Sequence, residues 1–171
     1  MIQLRLEHPE GGYAARVVRA KAREFLDKLG LYESDLSILL TTDARIRKLK
    51  RQYFGIDQAT DVLSFPSGKP MPGEPPSLGD LVISLDTARR RAREDGRSLA
   101  FELARYTAHG ILHLAGYDHE KGPRHAKRMA RAEAELLGLP GMLDDAMGLQ
   151  EEAPASRRGR KKVEKPPRGG R

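Results

Sequence analysis

Three of the chain's five histidines lie in one short stretch, HGILHLAGYDH, at His109, His113 and His119. Positions four apart on a helix sit one turn apart on the same face, so a helix ending here would set the first two imidazoles side by side. Gly116 then lets the backbone leave the helix through a left-handed turn, and His119 swings back toward the pair. Three neutral imidazoles meeting at one point suit zinc. With a fourth position left to water, the arrangement is that of a catalytic ion; a structural zinc takes four protein ligands, usually including cysteine, and the chain has none. The plainer alternative, two histidines packed along a helix and a third capping a turn, is outweighed by the specificity of the pattern.

The spacing equals that of H-E-x-x-H-x-x-G-x-x-H, the zinc site of metzincin proteases, glycine included. The second position, where such a protease carries its general-base glutamate, is Gly110, and glycine cannot take a proton from water. A zinc peptidase is therefore disfavoured. Three neutral ligands leave the ion's full positive charge uncompensated, which favours an anionic phosphate, and zinc both acidifies water and polarises a phosphoryl oxygen. The chemistry indicated is phosphodiester hydrolysis. Asp118 and Asp61 are the acids best placed along the chain to orient water or to accept from the outer nitrogen of a ligand imidazole. For Asp118 an Asx turn is an equal reading. Thr60 and Ser64 are candidates for hydrogen bonds to phosphate or base edges, or are ordinary strand residues. His8 and His125 fall outside the motif and are expected on the surface.

The histidine pair requires a helix over 99–114, for which Ser98 supplies the N-cap. Near the N-terminus, Ile2, Leu4 and Leu6 alternate with polar residues as in a half-buried strand, closed by Gly11 and Gly12. Ala14, Val17, Val18, Phe25, Leu26 and Leu29 keep helical spacing over 13–29, with Gly30 past the end. Residues 35–40 form an apolar strand fit for the centre of a sheet. Thr42 or Asp43 caps a helix over 44–53, which Gly55 ends. ATDVLSFP reads as a strand, followed by a Gly- and Pro-rich loop over 67–77, and GDLVIS as another. Ser84 caps a basic helix over 85–94 that Gly96 stops, and a last helix over 124–137 ends at Gly138 and Pro140. Together these elements predict an α+β domain: a small mixed four-stranded sheet packed with about five helices, the zinc site at the end of a central helix.

A chain of 171 residues is long enough for one well-buried domain, placed at 1–149. The formal net charge is +7, of which residues 150–171, with eight basic and three acidic side chains, carry +5. That segment has almost nothing apolar and is expected to be a disordered basic tail, either solubilising or binding RNA phosphates. Absence of cysteine suits a reducing compartment, and no leader-like or membrane-spanning run occurs, so a cytoplasmic, soluble protein is expected.

TDVLSF at 60–65, GDLVIS at 79–84 and HGILHLAGYDH at 109–119, in that order and at those intervals, resemble the YbeY family of bacterial ribosomal-RNA maturation endoribonucleases, over roughly residues 2 to 140. The resemblance implies a cytosolic metalloprotein with one Zn2+ held by His109, His113 and His119. It implies action on single-stranded RNA at the 3′ end of the small-subunit (16S) ribosomal RNA, in ribosome assembly and quality control. The implied partners are the small ribosomal subunit, a small-subunit ribosomal protein and an assembly GTPase. One stretch departs from the family pattern: Lys50 stands in an asparagine slot, Phe54 in an arginine slot important for activity, and Ala59 in a proline slot. An aromatic ring can stack on a base, yet it cannot neutralise a phosphate. Arg51, Arg47 and Arg105 are candidate substitutes, Arg105 one helical turn before His109, although the solvated surface arginine is the favoured reading of each. The alternative function is a zinc-stabilised RNA- or ribosome-binding assembly factor with little or no nuclease activity.

Removing the residues after Gln150 is expected to leave thermal unfolding unchanged and to flatten the salt dependence of RNA binding. Each phosphate of single-stranded RNA that the tail neutralises steepens the log–log slope by about 0.7, so a tail that neutralises three steepens it by roughly two units. RNA affinity of full-length and truncated protein across a salt series measures this; parallel slopes would remove the tail from the interface.

Overall fold

Alternating apolar residues pair into four strands: β1 (Ile2–Leu6), β2 (Asp35–Thr41), β3 (Val62–Pro66) and β4 (Ser77–Ser84). Around them run α1 (Gly12–Lys28), α2 (Asp43–Phe54), α3 (Leu85–Glu94), α4 (Leu99–Leu114) and α5 (Pro123–Leu137), with a single 3-10 turn at His119–Lys121. This computed structural model describes residues 1–68, 73 and 76–139; the basic segment expected to be disordered lies outside the described residues. The sheet order is β1-β2-β4-β3. β1 and β4 both run parallel to β2, and β3 is antiparallel to β4, so the sheet is mixed and the apolar strand β2 is central, as expected.

The two strand motifs are each other's partners. Leu63 lies opposite Val82 and Pro66 opposite Gly79, whose positive φ of 125° and close approach to the Phe65 carbonyl leave no room for a side chain. One sheet face, through Leu36, Ile38, Leu40, Leu81 and Ile83, packs on α1 and α4 in the main core. The other face carries a smaller cluster of Ile46, Leu63 and Val82 beneath α2.

Helix α4 is enclosed on nearly every side. From Glu102 to Leu114 all residues are buried except Arg105, His109 and His113, which follow one another at intervals of four and form a single open line. Gly110 explains how the helix lies so close to the sheet: a Cβ there would fall 2.1 Å from Cδ1 of the fully buried Leu81. The residue that excludes a protease base is thus the point where helix meets strand.

Caps set the helix starts. Thr42 accepts from the Arg45 backbone N–H, Ser84 from that of Thr87 and Ser98 from that of Phe101. The starts of α2 and α3 are also tied reciprocally. The Asp43 carboxylate accepts from the Ser84 and Thr87 hydroxyls at 2.5 and 2.6 Å and from Arg90, while the Asp86 carboxylate accepts the Asp43 backbone N–H at 2.9 Å. The other Asp86 oxygen meets His8 Nε2 at 3.0 Å. His8, expected on the surface, is therefore buried at 8% exposure, because a partner 78 positions away covers it. His125 is exposed, as expected.

Burial works against the charge of Asp43, but the hydrogen bonds from Ser84, Thr87 and Arg90 outweigh it and hold the carboxyl below its ordinary value of 3.8. A depressed carboxyl contributes stability at pH values above 3.8, lost progressively as the pH falls toward and through its own lower value. Asp43→Ala is expected to lower unfolding free energy by about 2 kcal/mol at neutral pH. Urea unfolding of both proteins checks this, and the gap between them is expected to narrow as the pH drops below that range.

Candidate metal centre

The last turns of α4 bring His109 and His113 together, with ring centroids 4.6 Å apart and Nε2 atoms separated by 3.1 Å. The helix ends at Ala115, and Gly116, with φ of 91°, turns the chain back. His119 then opens the 3-10 turn with its ring 5.5 Å from that of His109 and 4.9 Å from that of His113. One nitrogen from each ring lies within 4.8 Å of the others, a group that could hold a metal ion. Two nitrogens bound tetrahedrally to one zinc lie roughly 3.3 Å apart, so the 3.1 Å separation fits a shared ion. Without an ion, one of the two rings must carry the proton between them; with one, both lone pairs turn to it.

Burial, and then the charges that His109 and His119 would carry, push the His113 imidazole below its ordinary value of 6.5. The neutral, ligating form is thereby favoured at neutral pH. The outer nitrogen of His109 is also fixed, because Nδ1 lies 2.5 Å from Oε1 of Glu133 on α5. That contact leaves Nε2 of His109 free to bind.

His109 and His113 open into a cleft of about 450 Å³ whose walls include Phe54, Ser64, Tyr117, Asp118, Glu120 and Lys121. Ser64 donates to the Gly110 carbonyl at 3.4 Å while facing this cleft. Asp118 caps the 3-10 turn: Oδ1 accepts from the Glu120 N–H at 2.9 Å, and that bond, with help from nearby Lys121, keeps the carboxyl below its ordinary range. It holds the turn that presents His119. Asp61 does not reach the cleft; its Oδ1 accepts from the Val62 N–H and from the Thr60 hydroxyl at the start of β3. It lines instead a smaller cavity of about 260 Å³ behind His109, shared with Arg105, Tyr106 and Glu133. Burial, with the Asp61 and Glu102 charges nearby, raises the Tyr106 phenol to about 12. It therefore stays protonated near neutrality and is no general base.

Of the arginine candidates, Arg105 borders that rear cavity and pairs at 3.5 Å with the fully buried Glu102. Arg47 is engaged bidentately by Asp57 at 2.9 and 3.0 Å, and Arg51 is exposed on α2; neither lines the cleft. Phe54 lines it in their place. Sequence reasoning missed Glu133 and Lys121. Nothing local marks Glu133, which meets His109 across 24 positions, whereas Lys121 stands two residues past the motif, where its position alone is a signal.

The family model for "Endoribonuclease YbeY" matches residues 11–139. The chain belongs to the YbeY endoribonuclease family. Proteins named Endoribonuclease YbeY are 56% identical in Anaeromyxobacter dehalogenans, covering 86% of this chain and 75% of the relative, and 47% identical in Thermus thermophilus, covering 69% and 85%. A Thermotoga maritima protein solved in solution has the same fold, with a TM-score of 0.59 at 25% identity over 92% of this chain and 100% of that one. No described helix of this YbeY family member is long and apolar enough to cross a membrane.

Glu133→Gln is expected to weaken metal binding by about 10- to 100-fold, because the amide can no longer accept charge from the His109 N–H on equal terms. Competition titration with a chromophoric chelator reads the affinity directly. Equal affinity in a folded variant would show that Glu133 merely packs against α4.

Proposed function

We propose that this YbeY family chain is a zinc-dependent endoribonuclease that hydrolyses phosphodiester bonds of single-stranded RNA at His109, His113 and His119. The observation that carries the reading is the convergence of three imidazoles, two of which line an open cleft and one of which is held from behind by Glu133. Zinc, when bound, supplies a Lewis acid for the phosphate ester and lowers the pKa of water toward neutrality. The chain's own residues hold and orient. His109, His113 and His119 bind, Glu133 fixes the His109 ring, and Asp118 secures the turn that carries His119. Lys121 places an ammonium on the cleft wall, where, although shared with Asp118 at 3.6 Å and next to Glu120, it is the cation closest to the role of the arginine absent from position 54. Ser64, on the same wall, is a candidate to hydrogen-bond the RNA backbone, and Thr60 and Asp61 support the strand that carries it.

The cellular role proposed with this chemistry is maturation of the 3′ end of small-subunit ribosomal RNA in the cytoplasm. There the chain would meet the small subunit, a ribosomal protein of that subunit and an assembly GTPase. A second reading, a metal-stabilised assembly factor that binds RNA but cuts it poorly, is favoured by one observation, Phe54 in the cleft.

Purified protein is expected to carry about one zinc per chain, to cleave single-stranded but not duplex RNA, and to lose cleavage with a chelator and regain it with zinc. His113→Ala is expected to lose both metal and cleavage. Metal analysis and a gel assay on labelled RNA measure these together. Cleavage that survives in the metal-free variant would overturn the proposal, and normal metal content with no cleavage would establish the assembly-factor reading.

A further inference from the structure

Helix α2 ends in two exposed aromatic residues, Tyr53 and Phe54, at 61% and 51% exposure. Neither is loose. The Tyr53 ring meets Phe65 of β3 edge-on with centroids 5.1 Å apart, and the Phe54 ring leans on the same Phe65 at 5.7 Å with 34° between planes. Gly55, in the left-handed conformation at φ of 70°, ends the helix immediately beyond. A single exposed phenylalanine is ordinary, but Phe54 is held against Phe65, which is itself met edge-on by Tyr53, so its ring presents a preorganised face to the cleft.

The surroundings identify what it is for. Phe54 lines the same cleft as His109 and His113, so whatever lies on its ring lies beside the metal centre. The solvent side of α2 leading to it carries Lys48, Lys50 and Arg51, which form no ion pair among the described residues, so the rings sit at the end of a cationic track. The larger cleft on the other side of Tyr53, about 590 Å³, has Arg5 and Arg45 both engaged by Glu7, with Asp80 in addition; the Phe54 cleft, although Asp118 and Glu120 line it beside Lys121, has Lys50 and Arg51 on the last turns of α2 next to it. Cations without an ion pair beside an exposed ring fit a chain with phosphates and π-faces better than they fit an apolar protein surface.

We infer that Phe54, braced by Phe65, is a stacking platform for an unpaired nucleobase next to the scissile phosphate, with purines preferred over pyrimidines because they stack more strongly. The inference rests on the nuclease reading for the position of that phosphate. A base within a duplex has both faces covered and cannot use the ring, so the platform selects single-stranded substrate at the point of cutting. Position 54 thus trades charge compensation for base recognition.

The test uses the zinc-loaded full-length protein and a short single-stranded oligoribonucleotide carrying the fluorescent base 2-aminopurine at each position in turn. Wild type is expected to quench it strongly at one position. Phe54→Ala is expected to abolish that quench and to weaken RNA affinity about tenfold, with unchanged metal content and thermal unfolding, while Phe54→Tyr retains both. An abasic nucleotide at the quenched position is expected to weaken wild type and to add nothing in Phe54→Ala. Unchanged quench and affinity in Phe54→Ala overturn the inference, and leave the rings as a protein-binding surface. RNA cleavage in the same samples separates the two readings: cutting without Phe54-dependent quench rejects the platform alone, and quench without cutting rejects the nuclease alone.

Discussion

The structure depends on the enclosure of α4 between the sheet, α1 and α5. A helix covered on all sides except one line can present side chains to solvent only along that line, and here the line is Arg105, His109 and His113. Helical geometry has then already chosen which residues face outward together, before any ligand is considered. Close contact at Gly110 makes the enclosure possible: a larger residue there would require the buried Leu81 side chain or the helix to shift. The absence of a protease base at position 110 and the outward line of His109 and His113 therefore belong to one packing arrangement.

Much of this was legible in the sequence because it is local. Ser84 and Ser98 precede helical periods and cap them, Gly55 and Gly138 end helices in left-handed conformations, and alternation in TDVLSF and GDLVIS reads as strands. The i, i+4 pair and the glycine turn are local as well, so the gathering of three histidines could be expected from spacing alone. What escaped notice depends on chain crossings. His8 looks like a surface residue until Asp86 covers it, and Glu133 looks like one more acid on an amphipathic helix until α5 lies across α4. Asp61 stands behind His109 rather than in the cleft, a placement set by the way its Oδ1 caps the start of β3 and not readable from the motif.

The distribution of charge around the site is unusual for a surface that handles phosphate. Cations cluster on α2 and α3, yet those of α3 are largely committed, Arg89 to Glu10 and Arg90 to Asp43, where they secure helix starts. Near the imidazoles the wall holds Lys121 with Asp118 and Glu120, beside aromatic and hydroxyl groups. The cations of α2 without an ion pair among the described residues are thus set apart from a wall of mixed charge, and only the former create a field that salt screens strongly.

The ligand histidines, the turn that carries the third and the acid behind the first all come from one run of the chain, His109 to Glu133, while the sheet joins strands from distant parts of it. Helices α4 and α5 share one core with the sheet through Ile111, Leu112, Met129 and Leu136, so only the short turn between them, which carries His119, lies outside it. Parallel pairing of β1, β2 and β4 requires closure of long loops and belongs to the global unfolding event, whereas a turn of this kind opens locally at much lower cost. An ion shared by His109, His113 and His119 would pin that turn to the core, and amide exchange over 116–122 would then report on occupancy before the sheet responds.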